Sequence, residues 1–92
     1  MTENQKEILI DNMVDNLPML RKKLGLSQNE LSELIGVSRS TIVAIETRKR
    51  AMSWNMFLSL ILIFTKNKET DKLLNVLEIY TENFNDFIKT HR

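Results

Sequence analysis

Apolar residues recur at intervals of three and four along almost the whole of this 92-residue chain, the spacing that keeps them on one face of an α-helix. The chain contains only two glycines and one proline, and it lacks the alternation of apolar and polar residues that half-buried strands show. The pattern predicts an all-α fold, a compact bundle of about five to six helices.

Composition excludes several classes of protein. A chain of 92 residues can build one modest core and is too short for a typical two-domain enzyme. It has no cysteine and one histidine, so we expect no disulfide, no metal site and no catalytic thiol. Gly25 and Gly36 stand too far apart for a glycine-rich phosphate loop. Because no nucleophile–base pair or carboxylate pair stands out, we expect a protein that is not an enzyme and needs no cofactor.

Hydropathy argues against a membrane. The longest strongly apolar run, Met56 to Phe64, has nine residues, whereas a spanning helix needs about 20. The N-terminus lacks a basic start followed by an apolar stretch, so it does not read as a secretory signal. We therefore expect a cytoplasmic protein with no membrane contact.

The net charge of +1 is a sum of unlike segments. Residues 1–16 hold one base and four acids, whereas residues 17–50 hold seven bases and three acids. Basic charge is thus concentrated in the middle of the chain, where it would suit nucleic acid as well as a solvated face.

Helix boundaries are marked by serine and glycine. Ser27, Ser38 and Ser53 each stand where an N-cap hydroxyl would accept a hydrogen bond from a new helix. Gly25 and Gly36 suit the left-handed caps that end helices. The predicted helices begin near three residues: Gln28, Arg39 and Trp54.

Pro18 and Thr70 mark the outer boundaries. Proline lacks an N–H and restrains the residue before it, so we expect Pro18 to interrupt a first helix and begin a new one. Thr70 is predicted to cap a last helix that runs to about Thr90, after a polar loop over residues 65–69. The chain then divides into an N-terminal helical extension (1–16), a helix-turn-helix domain (17–69) and a C-terminal helix (70–92).

Residues 28–47 read as two short helices joined by the tight connection Gly36-Val37-Ser38. A helix-turn-helix needs a small residue where its helices cross, a glycine in the turn and apolar residues beneath the second helix. Ser32, Gly36 and Ile42 stand at such positions. An ordinary helical hairpin has the same spacing, so spacing alone leaves both interpretations open.

The segment GLSQNELSELIGVSRSTIVAIETRKR, Gly25 to Arg50, resembles the lambda-repressor-like helix-turn-helix family, also called the xenobiotic-response-element type. The resemblance extends over roughly residues 17–64. It implies a five-helix DNA-binding module of the kind found in bacteria and their phages, which usually acts as a dimeric repressor.

The resemblance makes Arg39 to Thr47 the recognition helix, whose N-terminal residues reach base edges in the major groove. The matching base-contacting positions hold Ser38, Arg39, Ser40, Val43 and Ala44. The fork of Arg39 suits guanine, and exposed apolar groups on Val43 and Ala44 suit thymine methyls. For Ala44, a surface that takes no part in reading bases is the alternative.

Phosphate contacts bring affinity and orientation without reading sequence. The positions expected to make them are Arg21, Gln28, Thr47, Arg48, Lys49 and Arg50. In the family the glutamate matching Glu46 pairs with the arginine matching Arg21, so we expect an Arg21–Glu46 ion pair. This chain has Thr47-Arg48 where the family has Asn-Gly, and Met52 where it has proline, so the family's geometry is not carried over to the loop at 47–52.

Apolar residues near the C-terminus repeat at the spacing of a coiled-coil face. This C-terminal apolar series comprises Leu73, Leu77, Tyr80, Phe84 and Phe87. The last helix would bury it either by docking on its own domain or by contact with a second copy, and both remain open. Two-fold DNA sites one helical turn apart would require a dimer.

The expected function is sequence-specific binding of double-stranded DNA by a transcriptional regulator that acts as a homodimer. A chain this short leaves no room for a sensory domain, which favours a repressor over an activator. The second hypothesis is an antitoxin-like module in which a terminal segment binds a partner protein while the helix-turn-helix autoregulates its operon. The apolar faces at both ends favour that alternative.

Overall fold

A computed structural model describes residues 1–89 of the chain. This part contains six helices: α1 (Glu3–Lys23), α2 (Gln28–Ile35), α3 (Arg39–Glu46), α4 (Trp54–Thr65), α5 (Lys68–Val76) and α6 (Glu82–Ile88). No strand occurs within residues 1–89, and the predicted all-α bundle with its helix-turn-helix is confirmed. α1 and α4 form the middle of the bundle, because α1 packs on α3, α4 and α5 while α4 also packs on α2 and α5.

α1 runs without a break through Pro18, so the predicted interruption at that residue is wrong. An interior proline removes a backbone hydrogen bond and costs roughly 3 kcal/mol. Met13, Val14, Leu17 and Leu20 lie on both sides of it and are at most 8% exposed. Burying each such side chain contributes about 1.5–3 kcal/mol, so the packing of one continuous apolar face outweighs the proline. The boundary expected at residue 16 consequently falls inside a helix.

The caps of α2 and α3 lie where the sequence predicts them. Ser27 Oγ accepts a hydrogen bond from the Glu30 N–H at 3.0 Å, and the Glu30 carboxylate accepts one from the Ser27 N–H at 2.9 Å. The bond from the Ser27 backbone, followed by the hydroxyl contact, lowers the pKa of Glu30. Gly36 ends α2 in the left-handed region at φ +84°, and Ser38 Oγ caps α3 through the Thr41 N–H at 3.2 Å.

α4 supplies the centre of the core. Its residues Phe57, Leu60 and Phe64 are fully buried, which its strongly apolar sequence requires. Trp54 stacks on Phe57 with 4.9 Å between ring centroids and meets Phe84 of α6 edge-on at 5.9 Å. Trp54 therefore fills space between α4 and α6. Within residues 1–89, no helix combines the length and apolar character needed to cross a membrane.

The C-terminal segment forms two helices, so the predicted single helix capped by Thr70 is wrong. Thr70 lies inside α5, fully buried, and its hydroxyl donates to the Phe64 carbonyl at 2.7 Å. α5 ends in a turn where Glu78 adopts φ +56°. Asn12 of α1 donates from Nδ2 to the Glu78 carbonyl at 3.0 Å, which ties this turn to α1. The helix end expected near Thr90 lies outside the described residues.

This turn splits the C-terminal apolar series between two helices. The predicted continuous coiled-coil face over these residues is therefore wrong. Leu73 lies on α5, Leu77 and Tyr80 lie in the turn region, and Phe84 and Phe87 lie on α6. Phe84 is fully buried, whereas Phe87 is 44% exposed. Since α4 extends through residue 65 and α5 begins at residue 68, the predicted polar loop shrinks to residues 66–67.

Gly36→Ala should lower the free energy of unfolding by about 1 kcal/mol, because an L side chain resists the left-handed backbone. Apart from Gly36 itself and its two chain neighbours, no heavy atom lies within 4 Å of the added Cβ, so the cost comes from the backbone conformation and not from a clash. Urea unfolding followed by circular dichroism measures it. Gly36→Asn is the control and should lose less, since asparagine tolerates this region. Equal stability of Gly36→Ala and the unaltered protein would contradict the expected cost.

Candidate nucleic-acid interface

α3 turns its polar N-terminal end outward because two isoleucines hold its other side in the core. Ile42 and Ile45 are at most 1% exposed. Ser38, Arg39 and Ser40 are exposed at the beginning of the helix. These three predicted base contacts are therefore brought together at one accessible helix end.

The other predicted base contacts lie one turn further along α3. Val43 and Ala44 are half-buried, so each keeps some surface that could meet an apolar group. Thr47 follows them as the C-cap, and both its N–H and its hydroxyl donate to the Val43 carbonyl, at 3.0 and 2.8 Å. Both donors of Thr47 are thus directed back to the helix, and the expected phosphate contact would require its hydroxyl to turn away from the Val43 carbonyl.

Three hydroxyls gather at the N-terminal end of α3, and we call them the α3 hydroxyl cluster (Ser38, Ser40 and Thr41). Ser38 Oγ lies 3.0 Å from Ser40 Oγ and 2.8 Å from Thr41 Oγ1. Arg50 reaches back from the following loop, and its Nη1 donates a long hydrogen bond of 3.4 Å to Thr41 Oγ1. The loop thus places one guanidinium beside the exposed end of the helix.

The predicted Arg21–Glu46 ion pair is present and bidentate. Arg21 Nε donates to Glu46 Oε2 at 2.9 Å, and Nη2 donates to Oε1 at 3.1 Å. Gln28 Nε2 donates to the same Oε1 at 3.1 Å, and Arg21 Nη1 donates to the Leu26 carbonyl at 2.9 Å. We call these groups the Glu46 network. It joins the end of α1, the beginning of α2 and the end of α3.

The Glu46 network is shielded from water, since the side chains of Arg21 and Glu46 are 9% and 6% exposed. Arg21 donates from three nitrogens within the protein, so the phosphate contact expected of it has little surface to use. Gln28 is half-buried and keeps one amide proton beyond its bond to Glu46. The network's main effect is to fix the orientation of α3.

The loop after α3 begins with a left-handed turn. Arg48 adopts φ +61°, a conformation that a non-glycine residue rarely takes. The Arg48 N–H donates to the Ile45 carbonyl at 3.1 Å, and the Lys49 N–H donates to the Ala44 carbonyl at 2.8 Å, so the turn closes as a Schellman motif. The turn occupies the place where the resemblance puts Asn-Gly.

Arg48 reaches α1 across the surface. Its Nη1 donates to Asp11 Oδ1 at 2.8 Å, and its Nη2 donates to Asp15 Oδ1. These bonds, the one to Asp11 first, raise the pKa of Arg48 above its ordinary value. The structure therefore places this predicted phosphate contact against two carboxylates.

Arg39 and Lys49 are placed differently from Arg48. Both side chains are exposed, and neither forms a salt bridge with another residue in the range 1–89. Their charge is therefore available to an anion that approaches the exposed side of α3.

Sequence reasoning missed Thr41 and the two aspartates that hold Arg48. Asp11 and Asp15 stand four residues apart, the spacing that places them on one face of a continuous helix. This spacing indicates a pair of acids on one helix face. The break predicted at Pro18, however, treats the N-terminal segment as separate from the rest of the domain.

Comparison with known proteins agrees with the helix-turn-helix that the geometry of α2 and α3 indicates. Residues 19–53, from the end of α1 to the cap of α4, match the family model described as Helix-turn-helix. The match covers 35 of the 92 residues, and it agrees with the resemblance of this segment to the lambda-repressor-like helix-turn-helix family.

One relative adds detail. Over 26 residues the chain is 62% identical to a protein of Methanothermobacter thermautotrophicus (strain Delta H) named "Uncharacterized HTH-type transcriptional regulator". The aligned segment covers 28% of this chain and 38% of that relative. No solved structure matches the chain significantly.

Glu46→Leu should lower the free energy of unfolding by about 3–5 kcal/mol, because it leaves the buried guanidinium of Arg21 without its partner. Urea denaturation measures the loss. The double variant Arg21→Met/Glu46→Leu is the control and should recover most of the stability, since both charges are then gone. A double variant as unstable as the single one would show that the loss does not come from an unpaired charge.

Proposed function

We propose that this protein is a DNA-binding transcriptional regulator that reads double-stranded DNA with α3 in the major groove. The observation that carries the proposal is the accessible end of α3, where Ser38, Arg39 and Ser40 project above the buried Ile42 and Ile45. The family match and the name of the relative agree with it. Helix-turn-helix domains present the N-terminal residues of their second helix to base edges in this way.

Base reading falls to the residues at and after the α3 N-terminus. Arg39 can offer two parallel N–H donors to guanine O6 and N7, a contact worth about 1–3 kcal/mol of discrimination. Ser40 can donate to or accept from a base edge, and Val43 and Ala44 can contact thymine methyls with the surface that they keep. Ser38 serves chiefly as the cap that sets this end of the helix.

Phosphate contacts then come mainly from the bases beside α3. Lys49 is exposed, and Arg50 is exposed next to the α3 hydroxyl cluster, so both suit the backbone that flanks the groove. Gln28 has a remaining amide donor for a phosphate near the start of α2.

A second copy is proposed to dock on an apolar groove between α4, α5 and α6. The groove encloses about 600 Å³ and includes Leu58, Leu62, Tyr80 and Ile88. Leu62 is 60% exposed and Ile88 is 44% exposed, which is costly for such large apolar side chains in water. A dimer formed there would carry two reading helices, as a two-fold DNA site requires.

We propose repression as its mode of action, because blocking access to DNA needs no surface beyond those that bind the DNA and the second copy. The same apolar groove favours the second candidate, an antitoxin-like module that binds a partner protein there and autoregulates its operon. The two candidates differ in what occupies the groove.

Arg39→Ala should relax sequence preference at one base pair, whereas Lys49→Ala should weaken binding to all duplexes alike. Selection from random duplexes, followed by titrations of the selected site over a salt series, separates the two effects. For the unaltered protein, log affinity should fall with log salt at about −0.9 per phosphate contact. An unchanged preference in Arg39→Ala would refute the assignment of Arg39 as a base-reading residue.

Leu62→Glu should convert a dimer into a monomer by placing a charge in the proposed contact, as measured by light scattering over a range of concentrations. Leu34→Glu is the matched control, because Leu34 is also 60% exposed but lies on α2, and it should leave the mass unchanged. A monomer mass for the unaltered protein at every concentration would exclude the homodimer and favour a different partner.

A further inference from the structure

Two carboxylates of α1 hold one of the three consecutive bases that follow α3. Arg48 donates to Asp11 and Asp15, which stand one helical turn apart and face the loop together. Lys49 and Arg50, the next two residues, have no such partner within residues 1–89. The three bases of this loop are therefore unequal, although the sequence presents them as one run.

The direction of Arg48 is set by the backbone as well as by the acids. Its left-handed φ of +61° closes the turn after α3, and its guanidinium extends across the surface to Asp11 of α1. Two separate acceptors take its two terminal nitrogens. These two carboxylates fix the direction of the guanidinium and offset its charge, so a phosphate that approached Arg48 would also meet two anions.

We propose that Asp11 and Asp15 are positioning residues that withhold Arg48 from the DNA backbone. The phosphate contacts of this loop then come from Lys49 and Arg50 alone. This inference rests on the proposed DNA-binding function. It assigns to these two acids of α1 a role in limiting the electrostatic, sequence-independent part of binding.

The expected consequence is measurable as a salt dependence. All three side chains are between 50% and 60% exposed, so the ion pairs are open to competition from salt and from phosphate. Removing the two carboxylates frees Arg48 for one further phosphate contact, which steepens the slope of log affinity against log salt by about 0.9. Between 50 and 200 mM salt, that steeper slope amounts to about a 3.5-fold larger loss of affinity.

The experiment uses four forms of the full chain: unaltered, Asp11→Asn/Asp15→Asn, Arg48→Gly, and the triple variant. Glycine is chosen at position 48 because it keeps the left-handed turn while removing the guanidinium. Fluorescence anisotropy with a mixed-sequence duplex gives the salt slope of each form. We expect the two asparagines to steepen the slope only when Arg48 is present, and Arg48→Gly alone to leave it unchanged.

Glu82→Gln/Asp86→Asn is the charge-matched control. It also removes two exposed carboxylates four residues apart, but on α6, and it should leave the slope as in the unaltered protein. An equal steepening by this control would show that the effect is one of overall charge and would overturn the inference.

Two further results separate this inference from the proposed function. If Arg48→Gly alone reduces the slope by about 0.9, Arg48 is itself a phosphate contact, so the inference falls while DNA binding stands. If no form binds DNA at any salt concentration, the proposed function and the inference fall together.

Discussion

The orientation of α3 depends on one buried carboxylate. Glu46 is the last residue of that helix, and it accepts hydrogen bonds from Arg21 of α1 and Gln28 of α2. A helix of eight residues is too short to be stable alone, so its direction comes from its contacts. Ile42 and Ile45 fix which side of α3 faces the core, and Glu46 fixes where its C-terminal end lies. The position of the exposed N-terminal end follows from these two constraints together.

Boundaries that depend on neighbouring residues could be predicted from the sequence. Serine caps and the glycine at position 36 act through backbone groups within a few residues, so the beginnings of α2, α3 and α4 were accessible to local reasoning. The predictions at Pro18 and Thr70 fail for the opposite reason. Their local preferences are overridden by burial, in one case of a continuous apolar face on α1 and in the other of the hydroxyl itself against Phe64.

The contacts of the candidate site also include one that was predicted and one that was not. The Arg21–Glu46 pair spans 25 residues and was predicted only because the resemblance supplied it. The contact between Arg48 and Asp11 spans 37 residues and has no counterpart in that resemblance. This contact depends on α1 continuing through Pro18. A continuous helix places Asp11 on the same element that packs on α3. The break wrongly predicted at Pro18 therefore concealed the contact between Arg48 and Asp11.

The structure changes how the basic middle of the chain is understood. Residues 17–50 contain seven bases. However, Arg21 forms a buried ion pair within the fold, and Arg48 is paired with acids on α1. Of the five bases that remain, Lys22 and Lys23 are exposed at the end of α1, whereas Arg39, Lys49 and Arg50 lie on α3 or in the loop after it. Few phosphate contacts per copy imply modest sequence-independent affinity, because that affinity scales with the number of phosphates neutralised. Tight binding would then need base contacts and a second copy, which makes the apolar groove on α4 to α6 as important to the proposed function as the reading helix.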